Sequence, residues 1–223
     1  GYRALYNNTA DNSVAIGYDA LFSLTSGGAN TAVGYIAGQN ITTGGSNTII
    51  GYNAFSSADG GEDRNVIIGK DAGSLINHDN ADNNIIIGEN AGEGGTGELK
   101  KCVVIGKDAM NSTAANNMNG AVAIGYQALT DLTSGTENTA VGYQAGKEIS
   151  SGDKNTGLGY NALAGTSVAA AYGDNNTAVG YNALTKIDYN SNSNTAVGSN
   201  AGASLTQGGA NAILGYSALA QYA

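Results

Sequence analysis

A glycine that recurs about every 17 or 18 residues constrains the fold of this chain more than any other feature. It occurs thirteen times from Gly1 onwards, with spacings of 16 to 21 residues. The later copies are Gly17, Gly34, Gly51, Gly69, Gly88, Gly106, Gly125, Gly142, Gly159, Gly180, Gly198 and Gly215. Such a period is typical of a solenoid, in which each unit buries its apolar face only by stacking on its neighbours.

The residues around the glycine predict short strands. An alanine follows the glycine by three residues in all thirteen copies, and Ile, Val or Leu directly precedes it in all twelve complete copies. An Asn stands four residues before it in nine of those twelve. A five-residue run bounded by Asn and Gly has the length of a strand and is too short for a helix. We predict an all-β fold, a parallel β-roll or β-solenoid of about 12 to 13 coils with two short strands in each.

The two fixed polar positions have distinct predicted roles. Glycine suits a corner because, lacking a Cβ, it can adopt a positive φ or allow another backbone to approach closely. Asparagine at a fixed register predicts a ladder of side-chain amides that bond from coil to coil. The nine asparagines are Asn30, Asn47, Asn65, Asn84, Asn138, Asn155, Asn176, Asn194 and Asn211.

Both faces of the predicted strand are apolar or small. In NTAVG, the Thr and Val share one face and the Ala points to the other, because strand side chains alternate. We predict that Val lines the inside of the coil and that Ala faces outward, where some copies carry Ile49, Ile67, Ile86 or Val104 instead. A strand that is apolar on both faces is covered on both. A coil has only one inside, so we predict that the outer face packs against identical chains.

The repeats resemble those of known fibrous surface proteins. NSVAIG (12–17) and AVAIG (121–125) resemble the head repeats of trimeric autotransporter adhesins, and NTAVGYNAL (176–184) is similar to repeats of phage tail fibres. The resemblance extends over essentially the whole chain. It implies a left-handed parallel β-roll of three chains side by side, exposed at a cell or virion surface and used for attachment. The residues by themselves predict only parallel coils that self-associate.

Charge and composition exclude several classes of partner. The net charge is −9, so a polyanion would be repelled, and we predict no nucleic-acid partner. No apolar run approaches the roughly 20 residues of a membrane-spanning helix, so this segment is predicted not to enter a membrane. The chain starts within a repeat and without Met, and we therefore expect residues 1–223 to form a single repeat domain of a longer fibrous protein.

The residue after the glycine forms its own column. It is tyrosine in nine copies, which predicts a packing ladder, with a carbohydrate- or surface-binding stripe as the alternative. Three consecutive copies carry Lys70, Glu89 and Lys107 instead. Stacked in register, these side chains are predicted to form an ion ladder that helps to fix the register of the coils.

The loops offer the remaining candidate sites. DGGEDR (59–64) and NHDNADNN (77–84) concentrate oxygen ligands of the kind that bind Ca²⁺, but their spacing matches no known calcium motif. We predict no cofactor and interpret them as solvated loops, with calcium as the open alternative. Insertions on a rigid scaffold often carry recognition, and this makes Tyr172, Asp174 and Tyr189 candidate partner contacts.

These features favour a structural and binding role over catalysis. We predict an extracellular homotrimeric fibre segment, located at a cell surface or in a virion tail fibre, that contacts a glycan or protein receptor. The alternatives are a phage receptor-binding segment, an ice-binding solenoid and a polysaccharide-degrading solenoid. Asp19, Asp71 and Asp108 share one repeat position, but adjacent coils carry no acidic partner there, so we predict no enzyme activity.

Overall fold

The computed structural model describes residues 1–9, 11–95, 97–113, 117–165, 173–187 and 191–220. Within these residues the chain is all-β, with short strands and no helix. The strands are β1 (Val14–Ile16), β2 (Thr31–Val33), β3 (Thr48–Ile50), β4 (Val66–Ile68), β5 (Ile85–Ile87), β6 (Leu99–Lys100), β7 (Val103–Ile105), β8 (Met118–Asn119), β9 (Val122–Ile124), β10 (Thr139–Val141), β11 (Thr156–Leu158), β12 (Thr177–Val179), β13 (Thr195–Val197) and β14 (Ala212–Leu214).

Twelve of these strands form one parallel sheet in which neighbours follow chain order. Only β6 and β8 leave this order, and they pair with each other as a separate two-stranded sheet. Each residue pairs with the same repeat position one coil away, as Thr31 does with Thr48. This arrangement confirms the predicted parallel β-solenoid.

The prediction of two strands in each coil is wrong for most coils. After the glycine the chain turns through positive φ values, as at Asp19 (52°) and Leu21 (50°), and this interrupts the extended conformation. Hydrogen bonds between coils nevertheless continue through the turn, since the Leu21 N–H donates to the Ala37 carbonyl at 3.1 Å. Outside the main sheet, the described residues form strands only at β6 and β8.

The predicted assignment of the two strand faces is also wrong. The middle residue of the strand lies inside the coil, where Ala32, Ile49 and Ile67 are fully buried. The final residue points outward, and Ile50 is 38% exposed. The period-two pattern shows which residues share a face, but it does not show which face is inside.

The core is a set of columns, one for each repeat position. The alanine three residues after the glycine and the aliphatic residue four positions later, such as Ala37 and Ile41, are fully buried. The position after that alanine varies in size: Leu21 is followed one coil later by Gly38 and then by Phe55. A Cβ on Gly38 would lie 2.8 Å from Cδ1 of Ile49, so the small residue makes room for the larger neighbour.

The predicted asparagine ladder is confirmed and buried. Oδ1 of Asn30 accepts hydrogen bonds from both the backbone N–H (2.9 Å) and Nδ2 (3.1 Å) of Asn47. Nδ2 of Asn47 donates to the carbonyl of Glu62 in the next coil at 2.7 Å. At Cys102 the thiol replaces the amide, with Sγ lying 3.1 Å from the Met118 carbonyl. Burial raises the pKa of this thiol to about 11.

Candidate functional site

The outer face of the twelve-stranded sheet carries an exposed row of aliphatic side chains. Ile50, Ile85 and Leu158 are 38%, 40% and 36% exposed, and all three lie at the first or last position of their strands. At the first strand the exposure of Ile16 reaches 59%. Parallel sheets are normally covered on both faces. The single chain therefore leaves one face of its sheet uncovered.

The tyrosines after the glycines stack along the solenoid in two runs. Ring centroids of successive members lie 4.9 to 5.3 Å apart, with interplanar angles of 5° to 25°. The first run is Tyr2, Tyr18, Tyr35 and Tyr52, and the second is Tyr126, Tyr143, Tyr160 and Tyr181. Their edges remain accessible, because each ring is between 38% and 63% exposed.

Lys70, Glu89 and Lys107 fill the gap between the two tyrosine runs. Lys70 Nζ lies 3.7 Å from Oε1 of Glu89, and Lys107 Nζ lies 2.9 Å from Oε2. The hydrogen bond from Lys107 lowers the pKa of Glu89, and its charge and that of Lys70 act in the same direction. The central carboxylate is thus shared by lysines from the coils on either side.

Replacing Glu89 by lysine is expected to lower the melting temperature by a small, salt-dependent amount. The substitution stacks three positive side chains in consecutive coils, and exposed charges are screened by salt. The measurement is thermal unfolding at low and high ionic strength. Asp11→Lys is the control, because it changes the net charge equally at an exposed aspartate without an ion pair among the described residues. The prediction would be contradicted if wild type and Glu89→Lys had the same melting temperature at both low and high ionic strength.

Three carboxylates from the two acidic loops lie together. One carboxylate oxygen each from Asp59, Glu62 and Asp79 lies within 4.8 Å of the other two. Asp59 and Glu62 precede the glycine of one coil, and Asp79 precedes that of the next, so the cluster joins two adjacent coils. Among the described residues, no lysine or arginine forms an ion pair with any of the three.

Glu62 is the unusual member of this cluster because it is fully buried. Its Oε2 accepts a hydrogen bond from the Gly60 N–H at 3.1 Å, whereas its Oε1 has no hydrogen-bond partner among the residues that the structure describes. Burial raises the pKa of Glu62; backbone N–H groups of Glu62 and Gly60 oppose the rise, and the charges of Asp59 and Asp79 add to it. The loop composition pointed to the cluster, but the burial of Glu62 was missed.

We expect the raised pKa of Glu62 to make the wild type lose stability relative to Glu62→Gln as the pH rises. A carboxyl whose pKa is raised by folding stabilises fully only below its unfolded value of about 4.3, and this contribution is lost as pH rises through the folded pKa. The measurement is urea unfolding of both proteins from about pH 4 to 7 with a chelator. If the free energies of unfolding of wild type and Glu62→Gln differed by the same amount at every pH, the raised pKa of Glu62 would be contradicted.

Of the candidate partner contacts, Tyr172 and Tyr189 lie outside the described residues. Asp174 is exposed, and its side chain takes part in an outer ladder between coils. Its Oδ1 accepts a hydrogen bond from the Asp153 N–H at 2.9 Å, and its own N–H donates to Oδ1 of Asn192 at 2.7 Å. Asp174 therefore links the loops of neighbouring coils while remaining accessible.

The geometry defines a class of protein, the parallel β-solenoid repeat proteins. No protein-family model, curated protein or solved structure matches the chain. In the described ranges, no helix has the length and apolar character needed to span a bilayer.

Proposed function

We propose that this chain is a structural and binding segment of an extracellular homotrimeric fibre, similar to the head of an adhesin that attaches to a cell or surface. The observation that carries the proposal is the uncovered aliphatic face of the parallel sheet. A regular face of this length is self-complementary from coil to coil, so identical chains are its simplest cover. The number of chains and a left-handed coil are taken from the resemblance to trimeric autotransporter adhesins.

Attachment by such a fibre would be multivalent. Three copies of every coil present the same exposed groups in parallel, so weak individual contacts add up to avidity. The exposed edges of the stacked tyrosines suit such contacts, because an aromatic ring offers both an apolar face and a hydroxyl. We propose a glycan or protein receptor for this surface. A receptor-binding segment of a phage tail fibre is the alternative, supported by the similarity of NTAVGYNAL (176–184) to tail-fibre repeats.

The test of the proposal is the mass in solution. We expect light scattering to give three times the mass of the chain at micromolar concentration. Ile50→Glu is expected to shift this mass towards that of the single chain, because the side chain is exposed in the monomer and would become buried in the trimer.

Leu75→Glu is the matched control. Leu75 is also an exposed aliphatic residue, at 52%, but it lies outside the strands of the sheet. The Leu75→Glu substitution should leave the mass in solution unchanged. A well-folded wild-type monomer, or equal effects of the two substitutions, would count against the proposed interface.

A further inference from the structure

We propose that Asp59, Glu62 and Asp79 form a binding site for Ca²⁺ that links two adjacent coils. The three residues supply only oxygen ligands, which suit a hard divalent cation. An acidic cluster alone does not define a site. The second observation is the Oε1 atom of Glu62, which is buried and has no hydrogen-bond partner among the described residues. A bound cation supplies the missing partner.

The repeat shows that Glu62 is not required by the fold. Glu62 stands seven residues before its glycine, a position that is uncharged in the other eleven complete repeats. Those residues are Ala10, Gly27, Gly44, Ala81, Leu99, Met118, Gly135, Gly152, Gly173, Ser191 and Gly208. The solenoid thus forms without a charge at this position, and a buried carboxylate there lowers stability unless it is paired or binds a metal.

The spacing of the carboxylates fits one calcium ion. Ca²⁺ holds its oxygen ligands at about 2.4 Å, so the oxygens of one coordination sphere lie within about 4.8 Å of one another. The three ligand oxygens of Asp59, Glu62 and Asp79 meet this limit. Water completes the coordination on the exposed side, where Asp59 and Asp79 lie.

Gly60 shapes the position of Asp79. A Cβ on Gly60 would lie 1.8 Å from Oδ1 of Asp79, so the carboxylate occupies the space that a side chain would fill. The φ of Gly60 is not in the positive region, so alanine can adopt this backbone conformation. Gly61 is a natural comparison, because within the described part of the chain its added Cβ would meet only Oγ1 of Thr43, at 3.6 Å.

The ion would fasten the loop of one coil to the loop of the next. A site with few protein ligands and partial exposure suits the weak affinities of extracellular modules, with a Kd of about 0.1 to 1 mM. Calcium binding would then stabilise the solenoid only where the ion is abundant. The inference does not depend on the fibre proposal.

The test is calorimetric titration of the chelator-treated full chain with CaCl2, together with thermal unfolding in calcium and in chelator. We expect one ion per chain and a higher melting temperature in calcium. Glu62→Gln should weaken binding at least about tenfold and remove the calcium-dependent shift. In chelator it should melt at or above the wild-type temperature, because it removes a buried charge.

Two further variants exclude a general loss of structure. Gly60→Ala should weaken calcium binding by displacing Asp79 without changing any charge, whereas Gly61→Ala should bind as wild type does. Absence of saturable calcium binding would overturn the proposal, as would binding that survives both Glu62→Gln and Gly60→Ala. Equally tight binding of Mg²⁺ would overturn the assignment to calcium.

Discussion

Replacing Gly125 by alanine is expected to lower the free energy of unfolding by at least about 4 kcal/mol. A Cβ at this position would lie 2.2 Å from the carbonyl oxygen of Gly142 in the next coil, closer than real contacts allow. The residue also has a φ of 135°, a region that alanine adopts only with strain. Relief of the overlap would require the two coils to separate, which weakens their hydrogen bonds. Urea unfolding followed by circular dichroism measures the loss.

Two glycines provide matched controls for Gly125. Gly120 lies in the same repeat with a φ of 70°, but the nearest atom to an added Cβ is Cγ of Glu137, at 3.8 Å. Gly215 has a φ of 122°, and an added Cβ there would have no atom of the described residues within 4 Å. Alanine at either site should cost no more than about 1 to 3 kcal/mol, the range for local backbone strain. If all three substitutions lowered the free energy of unfolding equally, the requirement for glycine at this repeat position would come from its backbone conformation and not from the contact between coils.

Replacing Asn155 by alanine is expected to cost about 3 to 5 kcal/mol. Oδ1 of Asn155 accepts hydrogen bonds from the N–H and Nδ2 of Asn176, and its Nδ2 donates to the Gly173 carbonyl at 2.9 Å. Alanine leaves all three groups buried without these partners, and each unsatisfied group costs about 1 to 3 kcal/mol before relaxation. Equilibrium unfolding at neutral pH tests this value.

The control for Asn155 is the last asparagine of the ladder. Asn211 donates to Oδ1 of Asn194 from its N–H and Nδ2, and it is only partly buried. Asn211→Ala removes only the side-chain bond, so we expect a loss of about 1 kcal/mol. A similar loss at Asn155 would mean that the ladder contributes little beyond one hydrogen bond at each step.

The natural interruption of the ladder shows how the fold tolerates its absence. Cys102 and Ala121 occupy the asparagine position in two consecutive repeats. The same repeats carry buried Leu99 and Met118 in the adjoining strands β6 and β8. At Cys102 the thiol takes the place of the amide, since Sγ lies 3.1 Å from the Met118 carbonyl, and the backbone N–H still donates to Oδ1 of Asn84 at 3.0 Å. A single Asn→Ala substitution supplies no such replacement donor, so it is expected to be more severe than the natural change at Cys102.

Much of the fold could be predicted from the repeat itself. The spacing of the glycines predicted a stack of coils, and the fixed asparagines predicted a ladder. Both predictions depend on register alone: identical residues recurring at one period must lie over one another once the coils are parallel. The second strand of each coil was predicted wrongly, because positive φ at residues such as Asp19 and Leu21 leaves no signal in the apolar pattern.

The acidic site illustrates a different limit of sequence analysis. The composition of the loops 59–64 and 77–84 indicated oxygen ligands, and the stacking of the coils brings Asp59 and Asp79 together. The signal for Glu62 was present in the repeat, since it is the only charged residue at its position. Its burial and its unpaired oxygen became visible only when the path of the loop was known.

The sequence by itself determined that this chain stacks in parallel coils, because periodicity fixes which residues are neighbours along the stack. Only the tertiary structure decided which side of each strand is inside. Alternation in NTAVG separates Ala from Val, but the direction of the turn at the glycine determines which of them meets the core. That turn places Ala32 within the coil and leaves Val33 on the outer face of the sheet.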